Sequence, residues 1–173
     1  MGDPAERLLV LAREVGALLS AQGVMVVTAE SCTAGGVAYA LTQIPGSSAW
    51  YDRGMIVYSN DAKQRMLGVP PTYLRDYGAV SEPVARAMAL GALQPGAPQL
   101  AVAVTGIAGP AGGSASKPVG TVCFAWAVRR APAGAARVET ATRHFDGDRA
   151  AVRTAAIIAA LAGMRTMLLP PRR

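Results

Sequence analysis

Two short, uninterrupted apolar runs constrain the fold most strongly, one at Val24–Val27 and the other at Leu100–Thr105. Neither run alternates with charged residues, and this pattern is typical of strands that are buried on both faces of a parallel sheet. Such strands require helices on both sides of the sheet. We therefore predict an α/β protein of three layers, α/β/α, whose sheet is mostly parallel with an antiparallel edge.

The other segments alternate in the order that this architecture requires. Leucine and valine recur at helical spacing after Pro4, which suits a first helical turn. The predicted strands cover residues 24–27, 54–59, 100–105, 121–128 and 137–145, and the predicted helices cover 4–21, 37–42, 60–67, 82–93 and 150–161. Residues 43–48, 94–98 and 106–120 are predicted loops, 72–77 a short turn, 129–134 a hairpin turn and 168–173 a frayed tail.

Composition limits the class of protein. Apolar residues make up 51% of the 173 residues, which suits one domain over 1–173 with its core at about 5–165. The two cysteines form no disulfide framework or metal-binding pattern, and no basic leader or membrane-spanning apolar stretch is evident. We expect a cytoplasmic protein that is neither secreted nor inserted in a membrane.

The formal charge of +6 favours an anionic partner. A metabolite, a nucleic acid and an anionic surface all satisfy that preference. The arginines of the C-terminal half are not interleaved with aromatic residues, so a stacking platform for single strands is not evident. We do not expect nucleic-acid binding.

A polar turn follows the first predicted strand. Residues 30–33 read Glu-Ser-Cys-Thr, and Ala34, Gly35 and Gly36 then allow the backbone to turn into a helix. Ligands of open α/β sheets collect at this carboxyl edge. Ser31 is therefore a candidate for chemistry, and the alternative is that Ser31 or Thr33 only caps the helix.

Three residues near strand ends form a possible nucleophilic site, namely Ser31, Tyr58 and Lys63. A serine hydroxyl needs a neighbouring base at neutral pH, and a desolvated lysine or a tyrosine near a cation can act as one. Cys32 is a second candidate nucleophile, although adjacent strand residues point to opposite sides. A Ser-His-Asp triad would need the single histidine, His144, to reach across the sheet. No metal site is predicted, because Asp146 and Asp148 suit a turn and a helix cap better.

A glycine-rich segment, Gly106–Gly120, follows the clearest predicted strand. Its glycines would let backbone N–H groups approach an anion or an oxyanion. The segment matches neither the Walker A nor the G-x-G-x-x-G pattern. A long connection without a ligand is the alternative interpretation.

Seven short motifs occur in an order that resembles the C-terminal domain of the competence-damage-inducible CinA family, the nicotinamide-nucleotide amidases. They are Ala29–Gly35, Pro45–Ser48, Tyr58–Lys63, Gly78–Glu82, Val104–Pro110, Lys117–Thr121 and Gly147–Arg149. Together they span about residues 5–165. The sequence has Ala111 where many members carry an acidic residue.

The resemblance implies hydrolysis of nicotinamide mononucleotide to nicotinate mononucleotide and ammonia. It implies Ser31 as the nucleophile, with Lys63 accepting its proton and Tyr58 assisting. Backbone N–H groups of residues 31–35 or 105–109 would hold the oxyanion. The candidates for substrate binding are Glu30, Thr33, Gly35, Ser48, Asn60, Thr105, Gly106, Gly109 and Arg149. Arg149 and the loop Gly106–Gly113 are the candidates for holding the phosphate.

No cofactor and no metal is expected, and the predicted partner is the small nucleotide substrate. A homo-oligomer is expected because crevice sites of small domains are often completed by a second subunit. Some relatives carry a further N-terminal domain with a pyrophosphatase activity, which we do not expect here. Two alternatives stay open: a nucleotide-binding module without catalysis, and a DNA-associated accessory protein.

Overall fold

The computed structural model describes residues 3–93, 98–129 and 134–170. It contains five strands and six α-helices within those ranges. In chain order these are α1 Pro4–Gln22, β1 Val26–Glu30, α2 Gly36–Thr42, β2 Tyr51–Ile56, α3 Asn60–Leu67, α4 Pro71–Tyr77, α5 Glu82–Ala92, β3 Leu100–Gly106, β4 Thr121–Val128, β5 Arg137–His144 and α6 Arg149–Leu168. A short 3₁₀-helix, Ser47–Ala49, precedes β2.

The sheet has the order β2-β1-β3-β4-β5. Strand β1 pairs in parallel with β2 and β3, and the β3–β4 and β4–β5 pairs are antiparallel. Val26 packs into the core beneath α1, α2 and α6, whereas the adjacent Val27 packs into the core beneath α3, α4 and α5. Helices therefore cover both faces, and the predicted three-layer α/β fold with its antiparallel edge is confirmed.

Several predicted boundaries are wrong by a few residues. Strand β2 begins and ends three residues earlier than predicted, because Tyr51 already pairs with Val26. The turn predicted at 72–77 is a helix that Pro71 begins. The predicted loop at 94–98 and the hairpin turn at 129–134 lie largely outside the described residues, as do the last three residues of the predicted tail.

The last helix, α6, is longer than predicted. It continues to Leu168 because Met164, Met167 and Leu168 are buried. Within the described ranges α6 is the one helix whose length and hydropathy would suffice to span a membrane, and half of that window is buried in the protein. Its packing against α1 and β4 is that of a core helix.

Candidate active site

The carboxyl ends of the three parallel strands meet at one edge of the sheet. Glu30 at the end of β1 is level with Ile56 of β2 and with Val104 of β3. The N–H of Ser31 donates to the carbonyl of Val104 at 2.9 Å, and the N–H of Val57 donates to the carbonyl of Glu30 at 2.8 Å. Residues that follow the three strands are thereby held close together.

Lys63 reaches Ser31 through the protein interior. It lies in the second turn of α3, a helix that Ser59 caps by accepting from the N–H of Ala62. Lys63 is 1% exposed, and its Nζ lies 3.1 Å from Ser31 Oγ. The other two contacts of Nζ are the carbonyl oxygens of Val57 at 2.9 Å and Tyr58 at 3.2 Å.

The surroundings of Nζ favour loss of the Lys63 proton. Burial lowers the pKa of Lys63 from its ordinary value, and no carboxylate is among the three atoms that Nζ contacts. A neutral amine has two N–H donors and one lone pair. In this structure Nζ donates to Ser31 Oγ and to the two carbonyls. Once the amine is neutral, its two donors can stay on the carbonyls, and its lone pair can accept the proton of Ser31.

Tyr58 lies just beyond β2, and its side chain is 59% exposed. Its hydroxyl lies 3.1 Å from Nη2 of Arg149, whose Nη1 donates to the carbonyl of Gly109 at 2.9 Å. Tyr58 thus contacts Lys63 through its backbone carbonyl and not through its hydroxyl. The activating role of that hydroxyl stays a prediction.

A cavity of about 180 Å³ lies above Ser31. Its lining is Ser31, Cys32, Tyr58, Asn60, Lys63, Ala79, Val80, Thr105, Gly106, Ala108 and Arg149. Larger cavities of about 240, 350 and 580 Å³ lie elsewhere in the described ranges, but none of the three is lined by a serine, a cysteine or a lysine. The cavity above Ser31 is therefore the candidate active site, because its lining holds the hydroxyl of Ser31 and the amine of Lys63 in contact.

Two backbone N–H groups are candidate oxyanion donors. That of Cys32 follows the nucleophile, the position that α/β-hydrolases use for this purpose. That of Ala108 has no acceptor among the described residues, and both residues line the cavity. A Cβ on Gly106 would lie 2.8 Å from Val122 Cγ2 and 3.0 Å from Cys32 Sγ. Glycine at this position therefore lets the backbone of β3 lie close to the side chains of Val122 and Cys32.

Some predicted binding residues have structural contacts instead. The Glu30 carboxylate accepts from the N–H groups of Val37 at 3.0 Å and Ala38 at 2.9 Å, and so caps α2 from inside the protein. Thr33 is fully buried, outside the cavity lining. Gly35 is the left-handed residue that precedes α2. Thr105 lines the cavity while its hydroxyl donates to the carbonyl of Ala79 at 2.9 Å.

Ser48 is not brought to the cavity. It lies in the 3₁₀-helix immediately before β2, so it is at the amino ends of the parallel strands, whereas the cavity is at their carboxyl ends. Six residues of strand separate the two edges, which corresponds to about 20 Å. Its position before a strand was visible in the sequence, and its role in substrate binding stays a prediction.

The alternative nucleophiles differ in their surroundings. Cys32 lines the cavity with Ser31, because both residues follow β1 and the alternation of strand side chains no longer applies. Burial is the main cause that raises the pKa of Cys32 to about 11, which disfavours the thiolate. His144 is exposed at the end of β5, with Nε2 3.5 Å from Asp146, and does not line the cavity.

The described residues hold no group of three or more histidine, cysteine, aspartate or glutamate side chains suited to a metal ion. Sequence reasoning missed Ala79 and Val80 in the cavity wall, whereas Ala108 lies in the 105–109 range that it named for the oxyanion. It also missed Arg153, whose Nη2 donates to the carbonyl of Thr33 at 3.1 Å. The spacing of four residues from Arg149 was a signal, because it places both arginines on one face of a helix.

Comparison with known proteins identifies similar chains. The CinA C-terminal domain family matches residues 9–168. The nicotinamide-nucleotide amidohydrolase PncC of Enterobacter agglomerans is 53% identical over 90% of this chain and 92% of its own length, and the PncC of Escherichia coli K12 is 52% identical over 89% and 90%. The crystal structure of the competence/damage inducible protein CihA from Agrobacterium tumefaciens is 46% identical, has a TM-score of 0.87, and is covered over 95% of its length by 93% of this chain.

Proposed function

The chain belongs to the CinA C-terminal domain family, and from this membership we propose that it hydrolyses the carboxamide of nicotinamide mononucleotide to nicotinate mononucleotide and ammonia. The observation that carries the proposal is the contact of 3.1 Å between a buried lysine amine and the hydroxyl of Ser31. The names of the similar amidohydrolases, matched over about nine-tenths of both chains, support the substrate.

The first half-reaction forms an acyl-enzyme. Oγ of Ser31 attacks the carboxamide carbon while Nζ of Lys63 accepts the hydroxyl proton. The oxyanion of the tetrahedral intermediate accepts from the N–H groups of Cys32 and Ala108. The C–N bond then breaks, and Lys63 returns the proton to the leaving nitrogen, which departs as ammonia.

The second half-reaction hydrolyses the ester. Lys63 accepts a proton from water as the water oxygen attacks the acyl carbon. The Ser31–acyl bond breaks, and the proton returns from Lys63 to Oγ. The product forms as a carboxylic acid and releases its remaining proton to solvent to become the carboxylate. One lysine therefore acts as base and acid in both halves, and no step of this scheme requires a metal ion.

The cavity size indicates how the substrate lies. A volume of about 180 Å³ is below the roughly 300 Å³ at which sites for whole drug-sized ligands begin. The pyridine carboxamide therefore enters the cavity, and the ribose phosphate extends over its rim. Arg149 lies on that rim with two guanidinium donors engaged by protein, which leaves N–H groups for a phosphate oxygen.

The decisive experiment measures ammonia and nicotinate mononucleotide from purified protein without added metal. We expect turnover by the wild type, a loss of about 10⁴-fold or more in Ser31→Ala, and a loss of about 10²–10⁴-fold in Lys63→Met. Ser20→Ala, at an exposed position near the end of α1, is the matched serine control and should retain activity. Binding of the nucleotide without any product would indicate a non-catalytic module, whereas tight, salt-sensitive DNA binding without product would favour the DNA-associated alternative.

A further inference from the structure

We propose that Arg153 is a positioning residue for this reaction, which polarises a chain of hydrogen-bonded peptide groups that ends at the backbone N–H of Cys32. The inference rests on the proposed function of Ser31 as the nucleophile. It assigns to α6 a part in building the oxyanion site that the cavity lining alone does not reveal.

Arg153 contacts the nucleophile turn from a distant part of the chain. It lies one helical turn after Arg149 on α6, and its side chain is partly buried. Arg149 reaches the rim of the cavity, whereas Arg153 donates through Nη2 to the carbonyl of Thr33 at 3.1 Å. The two arginines therefore hold different parts of the same site.

The contact continues through two peptide groups. The peptide whose carbonyl belongs to Thr33 carries the N–H of Ala34, which donates to the carbonyl of Ser31 at 3.0 Å. The peptide whose carbonyl belongs to Ser31 carries the N–H of Cys32, which is the candidate oxyanion donor. Hydrogen bonds in such a chain polarise one another. A cation at its start therefore makes the final N–H a stronger donor.

The turn is also strained enough to need support. Ala34 has φ +49° and Gly35 has φ +89°, so two consecutive residues adopt left-handed conformations, which a residue with a Cβ rarely does. Glu30 holds the far side of this turn by capping α2. Arg153 holds the near side, and the two contacts together fix the direction of the peptide planes.

The buried Nε of Arg153 supports a role for the charge of this side chain at the turn after β1. Its Nε and the hydroxyl of Thr33 are the buried side-chain polar atoms that lack a hydrogen-bond partner among the described residues. An unpaired buried N–H is unfavourable, and an apolar side chain would fill the space without it. Burial raises the pKa of the Cys32 thiol most strongly. The backbone N–H of Cys32 opposes that rise, and the charge of Arg153 opposes it to a smaller extent.

The test compares Arg153→Gln, Arg153→Met and Arg153→Lys with the wild type. Arg165→Met is the matched control, because it removes an α6 arginine that pairs with Glu14 at the protein surface. Three quantities are measured: kcat and KM for ammonia release, the rate at which phenylmethanesulfonyl fluoride labels Ser31, followed by intact mass, and the melting temperature. The labelling rate reports on the nucleophile and its oxyanion donors without using the nucleotide.

We expect the neutral variants to lose about tenfold in kcat and in labelling rate, with KM changed less than about twofold, since one oxyanion donor is weakened but not removed. Arg153→Lys should recover part of both losses because it keeps the charge. A folded Arg153→Gln or Arg153→Met variant with wild-type kcat and labelling would overturn the inference. So would equal losses in the glutamine and lysine variants, because these would show a purely structural role.

The same experiment separates this inference from the proposed function. Wild-type protein that is labelled at Ser31 but releases no ammonia would overturn the substrate, while the labelling rates would still decide the role of Arg153. Wild-type protein that neither reacts with the reagent nor releases ammonia would overturn both.

Discussion

Replacement of Lys63 by methionine should lower activity by about 10²–10⁴-fold and stabilise the protein at neutral pH. Lys63 is 1% exposed, and burial lowers its pKa below the ordinary value of 10.5. Methionine has nearly the same length and no charge. The variant therefore removes the desolvation penalty while it keeps the side-chain volume in the core.

The magnitude follows from three contributions. Methionine gains about 1.5–3 kcal/mol from complete burial of an apolar side chain. It leaves the carbonyls of Val57 and Tyr58 without their donor, which costs about 1 kcal/mol each. These contributions nearly cancel, so above pH 10.5, where lysine is neutral in both states, the two proteins should differ in free energy of unfolding by only about 1 kcal/mol.

At lower pH the proton adds a third contribution, whose sign is fixed by linkage. Between the lowered pKa of the folded state and 10.5, the unfolded chain binds a proton that the folded protein does not, so wild-type stability rises with pH. The methionine variant lacks this dependence. Its advantage in free energy of unfolding should therefore fall by about 1.4 kcal/mol per pH unit through this window and stay constant below it.

Thermal melts of both proteins from pH 7 to pH 10.5 measure this difference. For a chain of this length the slope corresponds to roughly 3–6 °C per pH unit in melting temperature. Lys117→Met is the matched control, since Lys117 is the other lysine of the chain and donates to the carbonyl of Tyr77 at the surface. A difference for Lys63→Met no steeper with pH than that for Lys117→Met would refute the assignment of a desolvated amine beside Ser31.

Three further predictions concern the same site. Activity losses of Ser31→Ala and Lys63→Met should not multiply in the double variant, because the two groups act as a unit; a multiplicative loss in ammonia release would contradict a Ser–Lys pair. Cys32, with a pKa of about 11, should resist iodoacetamide at pH 8 in the native protein and react after unfolding, as followed by peptide mass. Gly106→Ala should lower the free energy of unfolding by about 1–3 kcal/mol, because the added Cβ would lie 2.8 Å from a side-chain atom of Val122. The loss should be larger than in Gly23→Ala, where open space surrounds the added Cβ and the left-handed φ of +62° is the one source of strain. Equal melting temperatures for the two variants would contradict this packing.

The sequence was sufficient for the layers of the fold and for the central pair of the site. Val26 and Val27 lie in opposite cores, and an uninterrupted apolar run predicts this placement. Parallel strands bring their carboxyl ends to one edge, so the contact between Ser31 and Lys63 followed once both were placed after strands. Ser48 precedes β2 and does not follow it, so it lies at the amino ends of the parallel strands and not at their carboxyl ends.

Other features depend on atomic positions that a pattern does not encode. The polar edge suggested that Glu30 meets a ligand, yet its carboxylate is closer to two N–H groups seven and eight residues later. The fold decides this outcome, because the turn after β1 returns the start of α2 toward the strand end. Tyr58 contributes a carbonyl to Lys63 because β2 ends at Ile56, earlier than apolar content suggested.

The site contains a buried carboxylate and a buried amine that have different hydrogen-bond partners. Glu30 and Lys63 are each 1% exposed, but Glu30 is satisfied by helix N–H groups, whereas Lys63 contacts carbonyls and a hydroxyl. If the carboxylate bonded to the amine, their attraction would stabilise the ammonium and raise its pKa. Because α2 occupies the carboxylate, the carboxylate does not bond to the amine, and burial is free to lower the pKa of Lys63. A variant that removes one of the two donors to the carboxylate, such as Val37→Pro, should then impair proton transfer to Lys63 more than substrate binding, and a loss confined to KM would contradict this separation.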